Sequence, residues 1–168
     1  LPRDEAKQLE LGDATDFMST GAGQIRQFGR IAFFLDILGK KELLNRLASS
    51  VGRLTTATGE DELTIFVLSS LAGGAGAGFL VDTLAFLQDE RRKLAGDVSL
   101  RTIAMVVLPG AFREVLEQDK LAQAQANGYA ALREIDRMIN AYDTVAIEWE
   151  PGKPVRLTNA VADNVYLI

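Results

Sequence analysis

The chain has 168 residues with a formal net charge of −5, about half of them apolar and a quarter charged, which suits one packed domain. It has no cysteine and no histidine, which excludes zinc sites, thiol nucleophiles, disulfides and histidine-based triads. The acidic balance argues against nucleic acid or an anionic membrane as a partner, because both attract clustered Lys and Arg.

The first half of the chain predicts three helices. A short one is expected around residues 4–11. Apolar residues recur at spacings of three and four from Gln24 onward and predict a second helix, which Gly39 interrupts. The same spacing over residues 41–54 predicts a third, and the Thr-rich residues 55–59 are expected to close it.

Two apolar runs predict buried strands. Residues 63–68 and 102–108 are almost continuously apolar, which is typical of parallel strands covered on both faces. Between them, residues 79–94 predict a helix with its leucines facing inward.

The remaining third predicts a long helix over residues 112–140, in two parts with a boundary near Gly128. Pro and Gly at residues 151–154 predict a hairpin within residues 143–158, and residues 165–168 predict a final strand. This order indicates a single α/β domain that is three-layered and Rossmann-like, with a largely parallel sheet and helices on both faces. Because the chain starts at Leu1 and stops in an apolar run, we expect a fragment of a larger domain.

The segment after the first predicted strand contains only the smallest residues, in the order Gly73, Gly74, Ala75, Gly76, Ala77 and Gly78. Small residues between a strand and a helix let backbone N–H groups converge on an anion at the positive end of the helix. The segment lacks the Gly-Lys-Ser/Thr ending of a Walker loop and the G-x-G-x-x-G spacing of a dinucleotide fingerprint. The alternative is that small residues only permit close packing of helix on sheet.

Residues 72–78, Ala-Gly-Gly-Ala-Gly-Ala-Gly, resemble the GGGTGSG loop of the tubulin superfamily. Upstream, Thr20 to Gln24 resemble the family's GAG loop, which meets the terminal phosphate. Residues 126–134 resemble the helix after the ribose-facing loop, particularly in bacterial tubulin-like proteins. The likeness extends over most of residues 20–168.

The resemblance implies a GTP- or GDP-binding domain, with Mg²⁺ as a possible companion, in a cytoplasmic protein of bacterial cytoskeleton type that self-associates into filaments or dimers. It implies nucleotide contacts at the following residues: Gly21, Ala22, Gly23, Gln24, Arg26, Ala72, Gly73, Gly74, Ala75, Gly76, Ala77, Gly78 and Asn127. Ala75 and Ala77 replace the family's Thr and Ser hydroxyls. The family's acidic catalytic loop, which completes a neighbouring subunit's site, has no counterpart, so GTPase activity is expected only if missing loops and a neighbour complete the site.

Several of these residues have a second interpretation. Arg26 and Arg30 lie one turn apart, where they could reach a phosphate or form a solvated face. Asp82 is expected in the first turn of its helix, near Mg²⁺ or as a partner of the helix dipole. Asn127 could contact the nucleotide or be an ordinary polar helix residue. Two other functions also remain open, a scaffold domain with a degenerate site and an unrelated doubly wound enzyme for a phosphorylated small molecule.

Overall fold

The computed structural model describes residues 24–39, 41–91, 94 and 96–168; the predicted loop at residues 21–23 and helix at residues 4–11 lie outside them. The helices are α1 (Arg26–Leu38), α2 (Glu42–Thr58), α3 (Gly74–Asp89) and α4 (Gln118–Asn140). The strands are β1 (Glu62–Ser70), β2 (Ser99–Val107), β3 (Ala146–Glu150), β4 (Lys153–Arg156) and β5 (Asn164–Leu167). Short 3₁₀ turns occupy Pro109–Phe112 and Tyr142–Thr144.

The main sheet is parallel and has the order β1-β2-β5. Leu63 pairs with Leu100, and Ile103 pairs with Asn164. Helix α3 connects β1 to β2, and the connection from β2 to β5 contains α4, as parallel neighbours require. The predicted α/β class and parallel sheet are therefore confirmed.

The core lies on one face of the sheet. Leu80 of α3 is buried there beside Ala104 and Val106 of β2, together with apolar residues of α1 and α4. Leu87 and Leu100 form an adjoining cluster against α2. All four helices thus contribute apolar side chains to this face.

The opposite face of the sheet is open within the described part of the chain. Burial alternates along β1, and Phe66 and Leu68 are 57% and 72% exposed, as Tyr166 of β5 is at 53%. Of the two expected helical layers, the described residues contain the one on the core face. The apolar run at residues 63–68 therefore predicted the strand correctly, but it could not show how many faces of β1 are covered.

The end of α2 and the start of α4 differ from the prediction. The Thr-rich segment after residue 54 belongs to α2, which ends only at Gly59 in the left-handed region. Within it, the Thr55, Thr56 and Thr58 hydroxyls donate to carbonyls one turn earlier. Helix α4 starts later than predicted, at Gln118, and it runs through Gly128 without a break.

The hairpin β3–β4 lies within residues 143–158 and turns at Gly152, whose φ is +75°. Trp149 anchors it to the core. The Trp149 ring meets Phe86 edge to face at 5.8 Å, and Phe86 meets Phe33 in the same way at 6.0 Å. These rings join the hairpin, α3 and α1 in one apolar cluster.

Candidate functional site

A groove of about 490 Å³ opens where β1 ends and α3 begins. Ligands of parallel sheets bind beyond the carboxyl ends of the strands, which is the position of this groove. Its lining residues come from the start of α1, the end of β1, the start of α3 and the segment after β2: Gln24, Leu68, Ser69, Ser70, Ala72, Gly73, Gly76, Phe112 and Leu116.

Helix α3 starts inside the glycine-rich segment, at Gly74, and not at residue 79 as predicted. Gly73 is its N-cap and no side chain caps this end. The first intrahelical bond runs from the Ala77 N–H to the Gly73 carbonyl, so the N–H groups of Gly74, Ala75 and Gly76 have no carbonyl of their own helix to bind. The start of α3 therefore presents a cluster of amide donors.

The start of α1 lies directly against the start of α3. A Cβ on Gly74 would lie 2.5 Å from the Ile25 nitrogen, and one on Gly29 would lie 2.6 Å from the Gly74 carbonyl oxygen. Two helix N-termini are thus side by side, and each carries about half a positive charge from its aligned peptide dipoles. Their combined field favours an anion.

Close packing accounts for three of the four glycines. Gly74 and Gly78 touch the backbone of α1, and a Cβ on Gly78 would lie 2.2 Å from the Arg26 carbonyl oxygen. Gly76 touches the end of β1, since its Cβ would lie 2.2 Å from the Ser70 carbonyl oxygen. The fourth, Gly73, would have nothing within 4 Å of an added Cβ. Close packing therefore requires glycine at three positions of the segment but not at Gly73.

The predicted nucleotide-contact residues lie in different places in the structure. Four of them line the groove, namely Gln24, Ala72, Gly73 and Gly76, while Gly21, Ala22 and Gly23 lie outside the described residues. The rest of the glycine-rich segment continues into α3: Gly74, Ala77 and Gly78 are buried, and Ala75 is exposed.

Arg26 and Asn127 contact protein groups. The Arg26 guanidinium donates to the Ala77 carbonyl at 2.9 Å and forms an ion pair with Glu134 of α4. Asn127 is 5% exposed, and its amide donates to the Gln24 carbonyl oxygen at 2.8 Å. Asn127 is therefore bound to a groove residue, and Arg26 joins three helices.

Arg30 and Asp82 form an ion pair between α1 and α3, with 2.8 Å between Nε and Oδ2 and 3.1 Å between Nη2 and Oδ1. The expectation that Asp82 lies in the first turn is wrong, because α3 begins eight residues earlier. Burial raises the pKa of the Asp82 carboxyl above its ordinary value of 3.8, although Arg30 acts in the opposite direction. Asp82 is thus a buried charge that Arg30 compensates.

We expect Arg30→Ala to lower the free energy of unfolding by about 1–3 kcal/mol at pH 7, because it leaves a buried carboxylate without its partner. In an Asp82→Asn background the same change should cost much less. Urea denaturation of the four proteins gives the coupling directly. Equal costs in both backgrounds would contradict the pairing.

The raised pKa of Asp82 also predicts how the free energy of unfolding depends on pH. With its pKa raised on folding, Asp82 binds its proton more tightly in the folded state, so the free energy of unfolding falls as pH rises from 3.8 through the folded pKa. Asp82→Asn should remove this part of the pH dependence.

The two alanines of the segment are not equivalent. Ala77 is fully buried in the core cluster, whereas Ala75 is exposed in the first turn of α3. We expect Ala77→Ser to lower the free energy of unfolding by about 1–2 kcal/mol, because it buries a hydroxyl in apolar surroundings. Ala75→Thr should cost less than about 0.7 kcal/mol, the propensity difference. Denaturant titration of the two variants compares them; a larger loss for Ala75→Thr would contradict this placement.

Sequence reasoning missed half of the groove. The hydroxyl residues Ser69 and Ser70 end β1, and the apolar Leu68, Phe112 and Leu116 form a wall. Two serines ending an apolar strand were a usable signal, since the carboxyl end of a parallel strand faces the ligand edge. No signal in the sequence indicated Phe112 and Leu116, because their segment was predicted as a helix. In the structure it is a 3₁₀ turn with a loop.

Two special features are absent from the part of the chain that the structure describes. No three Asp or Glu side chains are grouped closely enough there to hold a metal ion. None of the helices described is both long and apolar enough to cross a bilayer.

Comparison with known proteins gives one match. A family model described as tubulin-like matches residues 7–168. Searches of curated proteins and of solved structures returned no match. The family match covers the groove, both helix N-termini and the whole parallel sheet. Since it spans nearly the entire chain, the protein belongs to the tubulin-like family.

Proposed function

We propose that this chain binds a nucleotide, GTP or GDP, with its phosphates in the groove at the starts of α1 and α3. The observation that carries the proposal is that two helix N-termini lie side by side and the one that opens on the groove has no side-chain cap. Unpaired N–H groups and two aligned dipoles attract a phosphate without any basic side chain.

The other groove residues support the same ligand. The volume of about 490 Å³ is in the range of small-molecule sites. Ser69 and Ser70 offer hydroxyls, and Leu68, Phe112 and Leu116 offer apolar surface to a nucleoside. A lining that contains both polar and apolar groups suits an amphiphilic ligand of this kind.

Three more specific parts of the proposal rest on membership of the family alone. These are guanine as the base, self-association into filaments or dimers as in a bacterial cytoskeleton, and the cytoplasm, where the nucleotide pool is, as the location. Mg²⁺ would accompany the phosphates, and no acidic cluster among the described residues is assigned to it. Hydrolysis would require an acidic loop from a neighbouring subunit.

Isothermal titration of the full-length protein with GTP, GDP and ATP tests the proposal. We expect saturable binding of GTP and GDP that is tighter than that of ATP. No saturable binding of any of the three would overturn the proposal, whereas equal binding of ATP would overturn only the base preference.

A scaffold domain with a degenerate site is the second candidate, and the buried Ala77 favours it, because a core methyl stands where the family has a hydroxyl. The unrelated enzyme is removed by the family match. If the scaffold interpretation is correct, the unmodified protein binds no nucleotide and Ala75→Thr creates binding. GTP hydrolysis by the unmodified protein that increases with its concentration would contradict this candidate.

A further inference from the structure

The chain bends sharply where it enters α1. Gln24 has φ = +64°, in the left-handed region that residues other than glycine rarely adopt, and helix α1 begins two residues later. A non-glycine residue keeps this conformation only when its surroundings impose it. Gln24 also lines the groove. The groups that hold Gln24 therefore also hold one wall of the groove.

The side chain of Asn127, which is distant in sequence, binds Gln24 directly. Its Nδ2 donates to the Gln24 carbonyl oxygen at 2.8 Å across 103 positions of sequence, and the residue is only 5% exposed. Because the Gln24 carbonyl can only accept, this bond sets the orientation of the amide, and the Asn127 Oδ1 accepts a longer hydrogen bond from the Gln123 Nε2 at 3.4 Å. A buried amide with both ends bonded is a well-defined anchor.

The helix that carries Asn127 is itself fixed relative to the groove. A Cβ on Gly128 would lie 2.6 Å from the Pro109 Cγ, so α4 packs closely on the 3₁₀ turn that follows β2. On the other side of Gln24, a Cβ on Gly74 would lie 2.8 Å from its carbonyl carbon. Gln24 is thus held between α4 and the start of α3.

We propose that Asn127 is a positioning residue for the groove: by binding the Gln24 carbonyl it imposes the left-handed turn that seats the start of α1 beside the start of α3. Asn127 is buried and does not line the groove, so its effect is exerted through Gln24. The inference rests on the proposed function only for its effect on nucleotide affinity; its structural part concerns the turn alone.

The test compares two variants of α4 in the full-length protein. Asn127→Leu keeps the size of the side chain but removes the N–H donor, leaving the Gln24 carbonyl unpaired. Ile135→Val is the control, because Ile135 is buried in the same helix two turns later and its truncation destabilises the core without touching Gln24. Asn127→Gln, which keeps an amide donor, serves as the conservative variant.

Two measurements are made on each protein. Hydrogen exchange at the backbone amides of residues 28–30 in the first turns of α1, where the Phe28 N–H donates to the Ile25 carbonyl at 3.2 Å, reports on the turn at Gln24 without any ligand. We expect Asn127→Leu to accelerate this exchange at least about tenfold relative to Ile135→Val, and Asn127→Gln to restore part of the protection. Titration with GDP should give at least about tenfold weaker binding for Asn127→Leu and an unchanged affinity for the control.

The outcomes separate the two proposals. If exchange at residues 28–30 is the same in Asn127→Leu and Ile135→Val, the positioning role is wrong, whatever the nucleotide affinity is. If exchange rises while Asn127→Leu binds GDP as the unmodified protein does, Asn127 holds the turn but does not position the groove, and the inference also fails. If the unmodified protein binds no nucleotide, the proposed function fails, and exchange still decides whether Asn127 imposes the turn.

Discussion

Gly73→Asp is expected to weaken nucleotide binding at least about 100-fold while leaving the protein at least as stable as before. Gly73 is the N-cap of α3, has extended backbone angles (φ −97°, ψ 162°) and has open space where a Cβ would be added. Aspartate is among the best N-cap residues, and its carboxylate would accept from the Ala75 and Gly76 N–H groups. These are donors that we assign to phosphate, so the variant places a competing anion at the site.

Two matched substitutions separate the effect of the added charge from the effect of the added volume. Gly73→Asn caps the helix without a charge, and Gly73→Ala adds a methyl group alone. We expect affinity to fall in the order Ala, Asn, Asp, as measured by titration with GTP and GDP. Thermal or urea denaturation should show a gain of about 0.5 kcal/mol for Asp from capping and the helix dipole. Unchanged nucleotide binding by Gly73→Asp would show that the phosphates do not bind in this groove.

Gly78→Ala is expected to lower the free energy of unfolding by at least about 2 kcal/mol. Alanine ordinarily stabilises a helix relative to glycine by about 0.5–1 kcal/mol, so the expected sign is opposite to helix propensity. The reason is contact with backbone, since the new Cβ would lie 2.2 Å from the Arg26 carbonyl oxygen. Helix α1 would have to move away from α3, and one of the two paired N-termini would move with it.

Gly52→Ala is the control for this prediction. Gly52 lies inside α2, is exposed and would have nothing within 4 Å of an added Cβ. The same substitution there should raise the free energy of unfolding by about 0.5–1 kcal/mol, which is the ordinary effect of propensity. Urea denaturation measures both variants. Stabilisation by Gly78→Ala would mean that α1 and α3 do not pack as closely as described.

The predictable part of the fold was the part that local patterning controls. Apolar spacing gave α1 and α2, and two apolar runs gave β1 and β2 in their correct order. The boundaries were less accurate, because contacts elsewhere decide them. Glycine lowers intrinsic helicity, so residues 74–78 were not expected to be helical. They are helical because small residues let α3 pack against α1 and the end of β1.

The same distinction applies to the candidate site. A run of small residues after a buried strand predicts an anion-binding segment, and this stays a prediction. The structure places Gly73 and Gly76 of that segment in a groove. The sequence could not say that Arg26 binds Glu134 or that Arg30 binds Asp82, since these partners are 108 and 52 residues away. The two arginines were considered for a phosphate because they lie one turn apart on the helix after residue 23, and that position does not reveal which helix packs against them.

By itself, the sequence determined the α/β class, the family likeness and the position of the small-residue segment, because these depend on short-range patterns of size and polarity. Only the tertiary structure decided which face of the sheet is covered, which glycines serve packing and which one is free, and that Asn127 reaches Gln24. These features depend on contacts between elements that are distant in sequence, and local sequence patterns do not reveal which elements come into contact.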